Sequence, residues 1–262
     1  MPLAFNHRPT LVAYVTCGDP NLDTTRDIIL AAIEAGAGII ELGVPFSDPV
    51  ADGPVIQRAS ERALRGGTTL NDVLKLARDI RRQSAVGMIV FSYLNPILKL
   101  GLGRFCDTAK DAGVDGALIT DLPAEEAHAY LSEMRARGLN TVFLAAPTST
   151  DQRLRGIARA STGFVYAVSR TGVTGTRTQL PEDARELVKR LRKFSKLPIA
   201  VGFGISNSEQ FAAVGEYADG AVVGSAIVQT IEQNPGREPQ SVAQFIQKLL
   251  GAGRQSSATQ KS

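Results

Sequence analysis

LVAYVTCGDPNLDTTRDIILAAIEAGAGIIELG, residues Leu11 to Gly43, contains the unit from which the fold is read. LVAYVT (Leu11 to Thr16) and GIIELG (Gly38 to Gly43) are short apolar runs of strand length. The intervening DTTRDIILAAIEAG carries apolar residues at helical spacing and ends on Gly36, where glycine takes the left-handed capping conformation. The order is strand, helix, strand, and it recurs along the chain. Further strand runs are VGMIVFSY (Val86 to Tyr93), GALITD (Gly116 to Asp121), TVFLAA (Thr141 to Ala146), FVYAVS (Phe164 to Ser169), IAVGFG (Ile199 to Gly204) and GAVVGS (Gly220 to Ser225). Between them lie TTLNDVLKLARDIRRQ, GRFCDTAKDAG, PAEEAHAYLSEMRARG, DQRLRGIARA, PEDARELVKRLRKF and NSEQFAAVG, each with a helical apolar stripe.

Most strand runs are nearly continuous in hydrophobicity, as suits parallel strands covered by helices on one face and packed against neighbours on the other. Eight such units across 262 residues predict an α/β fold, a single (β/α)8 TIM barrel over 1–252 with additional short helices and a flexible C-terminal tail over 253–262. An open doubly wound sheet shares the local pattern, and the count of eight favours closure. Two loops depart from the usual length. VPFSDPVADGPVIQRASERALRGG follows strand 2, with an extra helix expected in GPVIQRASERAL and Pro54 near its first turn; RTGVTGTRTQLPED follows strand 6. Long loops at the C-terminal ends of barrel strands are where an active-site rim or lid is expected. SVAQFIQKLLGAG adds a final helix.

Composition narrows the chemistry. A net charge of +3 with alternating acids makes RDIRRQ and KRLRKF solvated helix faces, so no nucleic-acid partner is expected. No apolar run reaches membrane-spanning length and MPLAFNHRPT lacks the order of a signal peptide, which leads to an expectation of a cytoplasmic chain without a membrane partner. His7 and His128 are too few for a multi-histidine metal centre, no lysine falls inside a strand run to form a Schiff base, and Cys17 has no evident histidine partner. Carboxylate acid–base chemistry remains.

Glu41 stands among aliphatic neighbours in strand 2. If it points into the barrel mouth, desolvation raises its pKa toward a value useful for proton transfer; the alternative is an edge glutamate paired with a base. Asp48 and Asp52 follow in a loop stiffened by Pro45, Pro49 and Pro54, suited to a cation, to a substrate N–H, or simply to Asx turns. Gly175, Gly204, Gly224 and Ser225 cluster after strands 6, 7 and 8, where barrels often cradle a phosphate, although turns alone explain many glycines. Tyr166 is the best polar candidate among the aromatics, and Phe203 serves equally as core or as ligand wall.

With these residues in view, the chain resembles the alpha subunits of tryptophan synthase. The longest motif is ELGVPFSDPVADGP (Glu41 to Pro54). YVTCGDP, YLNP, DLPAEE, VSRTGVTG, VGFGIS and ADGAVVGSA accompany it in family order and cover nearly the whole barrel. The resemblance implies a lyase (EC 4.2.1.20) that cleaves indole-3-glycerol phosphate to indole and D-glyceraldehyde 3-phosphate without a metal. It also implies Glu41 as the proton-transferring acid, and Asp52 as acceptor of the indole N–H. Tyr166, Thr174 and Phe203 would position the substrate, Thr174 coupling to Asp52 when its loop closes, and Gly175, Gly204, Gly224 and Ser225 would bind phosphate. A beta-subunit partner in an alpha2-beta2 assembly is implied, contacted through Pro45 and Asp48. That partner would carry pyridoxal phosphate, with no cofactor on this chain, and use indole in tryptophan biosynthesis. The competing readings are another metal-independent enzyme on phosphorylated substrates and a regulatory barrel without turnover.

Overall fold

The computed structural model describes residues 3–168, 182–202 and 204–256. Among these, eight parallel strands close into a barrel in chain order. They are β1 (Thr10–Thr16), β2 (Ile39–Gly43), β3 (Gly87–Ser92), β4 (Gly116–Ile119), β5 (Asn140–Ala145), β6 (Val165–Val168), β7 (Ile199–Gly202) and β8 (Gly220–Val223). Each overlaps one of the expected runs. Closure comes from β1 pairing with β8, Val12 opposite Val222.

The strands read as continuous apolar runs because both of their faces are buried. Alternate residues point to opposite sides. Leu11, Ala13, Ile40, Leu42, Met88 and Val90 belong to the layer under the helices, whereas Val12, Ile39, Ile89, Leu118, Val142 and Val222 fill the barrel interior. Leu3 and Phe5 close the interior at the N-terminal ends of the strands, the Phe5 ring meeting Phe164 edge-on at 5.5 Å.

The outer layer includes α1 (Leu22–Glu34), α3 (Leu70–Arg81), α5 (Leu102–Asp111), α6 (His128–Ala136), α7 (Asp151–Ala160), α8 (Glu182–Arg192), α9 (Ser208–Gly215) and α11 (Glu238–Ser256). Extra helices follow three strands: α2 (Pro54–Arg65) after β2, α4 (Leu94–Leu100) after β3 and α10 (Ser225–Gln233) after β8. The first was expected, and its opening proline occupies the position where a missing N–H costs nothing.

The other two correct the sequence reading. α4 contains Pro96, which sits within its first turn and so breaks no intrahelical bond. Strand 8 stops at Val223 instead of continuing to Ser225: Gly224 caps α10, whose Ile227, Val228 and Ile231 form a short buried stripe. PAEEAHAYLSEMRARG is also not one helix, because Ala127, at φ −84° and ψ 11°, separates a 3-10 turn over Ala124–Glu126 from α6. α11 extends past the expected 252 boundary, and the rest of the expected tail lies outside the described residues. No helix among the described residues is long and apolar enough to cross a membrane.

Candidate active site at the barrel mouth

The face that Glu41 takes follows from register. Ile39 lies inside the barrel, and two residues later so does Glu41, beside Tyr14 of β1 and Ile89 of β3 in the strand pairing. Glu41 is fully buried, and neither carboxyl oxygen has a hydrogen-bond partner among the described residues. The edge-glutamate alternative would have needed a paired base, and the described residues offer none. Water is a far better solvent for a carboxylate than this interior, so burial pushes the Glu41 carboxyl up to about 8.

Two tyrosines wall this acid, and each needs a glycine opposite. A Cβ on Gly43 would lie 2.4 Å from the Tyr14 hydroxyl, and one on Gly202 would lie 2.5 Å from the Tyr166 hydroxyl. Both separations are impossible for a side chain, so Gly43 and Gly202 are the space into which the phenols fit. Burial raises both phenols well above their ordinary value, and the Asp52 and Glu41 charges add to the effect on each.

Asp52 reaches this mouth from the loop between β2 and α2, held by Tyr93 at the end of β3. The Tyr93 hydroxyl accepts from the Ala51 N–H at 2.9 Å and donates to Asp52 Oδ2 at 3.3 Å, while its ring stacks on Phe46 at 4.9 Å. Gln57 of α2 donates its side-chain amide to the Asp52 carbonyl at 2.8 Å. The loop is therefore clamped at three points around the carboxylate. Burial raises Asp52 to about 6, against the opposing effect of the Tyr93 hydrogen bond. Near neutral pH one acid keeps its proton while the other has lost it, which is the division of labour that acid–base catalysis needs.

Among the expected phosphate glycines, Gly204 takes a left-handed backbone at φ +80°, as glycine permits. Gly224 abuts Tyr14 and precedes Ser225, the first residue of α10. No side chain caps α10, so its first-turn N–H groups are oriented to receive an anion. Thr174, Gly175 and Phe203 lie outside the described residues. Pro45 is buried and Asp48 is exposed, its carboxylate accepting from the Ser47 hydroxyl at 2.5 Å. Pro45 lines a cleft together with Phe46, Leu64, Leu70 and Leu98, Asp48 follows on the same loop, and Val50 beyond it is 88% exposed. Among the described residues no group of three or more histidine, cysteine or acidic side chains is arranged to hold a metal ion, and Cys17 and Cys106 are both buried and unpaired.

The sequence reading missed the role of Tyr93 as the clamp on Asp52. Its position at the end of a barrel strand was the available signal, but a separation of 41 positions along the chain hides the contact.

Known proteins match the chain over most of its length. The family model described as tryptophan synthase alpha chain matches residues 3–257. The tryptophan synthase alpha chain of Solibacter usitatus is 54% identical over 228 residues, 87% of this chain and 85% of that one. The alpha chain of Geotalea daltonii is 46% identical over 251 residues, covering 96% of this chain and 95% of its own. Among solved structures, a chain from the tryptophan synthase α2β2 complex of Pyrococcus furiosus superposes with a TM-score of 0.88 at 41% identity, covering 92% of this chain and 98% of that one.

Proposed function

This chain belongs to the tryptophan synthase alpha chain family, and on that premise we infer that it cleaves indole-3-glycerol phosphate to indole and D-glyceraldehyde 3-phosphate at the mouth of the barrel. The observation that carries the reading is the pair of acids with divided protonation: Glu41, fully buried, at about 8 and with no partner for its carboxyl among the described residues, and Asp52 at about 6.

The retro-aldol step requires a proton delivered to indole C3 and another removed from the glycerol hydroxyl next to the breaking bond. Protonated Glu41 supplies the first. The resulting indolenium carries positive charge at the ring nitrogen, where the Asp52 carboxylate accepts the N–H and stabilises that charge. The carbon–carbon electron pair then returns to the ring, the hydroxyl carbon becomes the aldehyde, and the hydroxyl proton passes to the Glu41 carboxylate. The acid is regenerated and no proton is left over. Because Glu41 has no hydrogen-bond partner among the described residues, none of their bonds has to be broken before it acts.

The same reading assigns Gly175, Gly204, Gly224 and Ser225 to the phosphate, with support from the uncapped start of α10. Tyr166, Thr174 and Phe203 position the rest of the substrate. The partner is a beta subunit carrying pyridoxal phosphate, seated on the exposed apolar loop and cleft around Pro45 and Asp48; Val50 and Leu98 at this surface support that placement. A cytoplasmic setting suits the two unpaired thiols.

The test is turnover of indole-3-glycerol phosphate by the purified chain, alone and with a cognate beta subunit. Indole is expected in the second condition at least. Its absence from both would overturn the assignment.

A further inference from the structure

Two of the three extra helices, α2 and α10, pack on each other over Tyr14, through Ala59 and Val228. Their N-terminal ends face the two halves of the substrate, on the reading given above: Asp52 lies just before α2, and Ser225 opens α10. Farther along, the same helices are tied by charge. Arg62 of α2 donates Nε to Asp19 Oδ1 at 2.7 Å and Nη2 to Oδ2 at 2.8 Å, while its Nη1 reaches Glu232 Oε1 of α10 at 2.7 Å. Arg58, one turn earlier, donates Nε and Nη2 to the two Glu232 oxygens at 2.9 and 2.7 Å. Asp19, in the loop after β1, is only 2% exposed, so its bond to Arg62 is shielded from water. A planar guanidinium can serve both carboxylates at once; a lysine ammonium has no such fork.

We propose that Arg62 is a positioning residue: by fastening α2 to α10, and both to the β1 loop, it holds Asp52 and the phosphate cradle at the separation that one substrate molecule must span. The proposal rests on Asp52 and Ser225 serving opposite ends of that substrate. Neither Arg62 nor Glu232 touches the reacting atoms.

Arg62→Lys keeps the charge and removes the fork. Its kcat/KM for indole-3-glycerol phosphate falls by about tenfold or more, because misplacing groups at the two ends of a bound substrate degrades the reacting geometry. The Kd of glycerol 3-phosphate, which spans only the phosphate end, stays within about twofold of the wild-type value, as expected for a contact outside its site. Placed on Asp52→Asn, the same change costs less than about twofold, since two residues acting through one device are not additive. A kcat/KM near wild type, a parallel loss of glycerol 3-phosphate binding, or an equal loss in both backgrounds would each overturn the proposal.

Amide hydrogen exchange reads the fastening without catalysis. Gln57 and Val228 donate the first closing bonds of α2 and α10, and in Arg62→Lys both exchange faster while the barrel strands do not change. Acceleration throughout the barrel, or in α2 alone, counts against the proposal. Were the wild-type chain inactive, the functional reading would fail, and the exchange measurement would still decide whether Arg62 couples the two helices.

Discussion

Replacing Glu41 with glutamine should abolish turnover and make the protein more stable, by an amount that grows with pH. In the unfolded chain this carboxyl titrates near its ordinary 4.5, and in the folded barrel at about 8. Below the lower value both states hold the proton and the group contributes no pH-dependent difference. Between the two values the unfolded chain has released its proton and the folded one has not, so stability falls by about 1.4 kcal/mol per pH unit. Above the upper value the loss is complete, on the order of 5 kcal/mol. A single carboxyl therefore opposes folding at neutral pH by a sizeable share of the roughly 5–15 kcal/mol that holds a typical protein together.

Glutamine is neutral throughout and nearly the same size. Its buried amide adds an offset, but one that does not change with pH. The difference in unfolding free energy between the glutamine variant and wild type, read from urea titrations, should widen by roughly 3 kcal/mol between about pH 5 and about pH 7. A difference constant to within about 0.5 kcal/mol over that interval would refute a protonated Glu41 in the folded barrel, and with it the acid assigned to C3. Stability gained as activity is lost is the expected signature of a group kept in an unfavourable environment for chemistry.

Three further outcomes follow from the same site. The pH profile of kcat/KM should be bell-shaped with limbs near 6 and 8, since Asp52 must be ionised and Glu41 protonated; an optimum well outside that window would contradict the division of roles. Tyr93→Phe removes the hydrogen bond that lowers Asp52, so the acidic limb should move upward with a rate loss of about tenfold, and an unmoved limb would show that Tyr93 does not set the carboxylate. Gly202→Ala places a methyl 2.5 Å from the Tyr166 hydroxyl, so it should displace the phenol and cost about 1–3 kcal/mol of stability by overpacking; unchanged thermal unfolding and kinetics would mean that the tyrosine has room elsewhere.

The strand register explains why some of this was legible beforehand and some was not. The run IIELG marked both the second strand and its acid, because a charged residue inside an aliphatic run is conspicuous. It did not mark which way the acid points. Ile39 faces the barrel interior and Ile40 and Leu42 face the helices, so the period-two pattern is apolar on both sides. Tyr14 was equally ambiguous until its pairing with Glu41 turned it inward. The helix α10 was hidden for another reason: GAVVGS runs directly into SAIVQTIEQ, and a short apolar segment does not announce where strand becomes helix.

By itself the sequence determined the number and order of the barrel strands, because parallel strands buried on both faces require uninterrupted apolar runs separated by turn and capping residues. It also placed the two candidate acids at the C-terminal end of the second strand and in the loop beyond. Only the tertiary structure decided that Glu41 is fully buried and without a hydrogen-bond partner among the described residues, that Tyr93 holds Asp52 across the mouth, and that Arg62 joins α2 to α10. Those properties depend on groups distant in the chain and brought together by closure: a pKa reports every neighbour that displaces water, and a hydrogen bond between β3 and the β2 loop leaves no periodicity in the residues that make it.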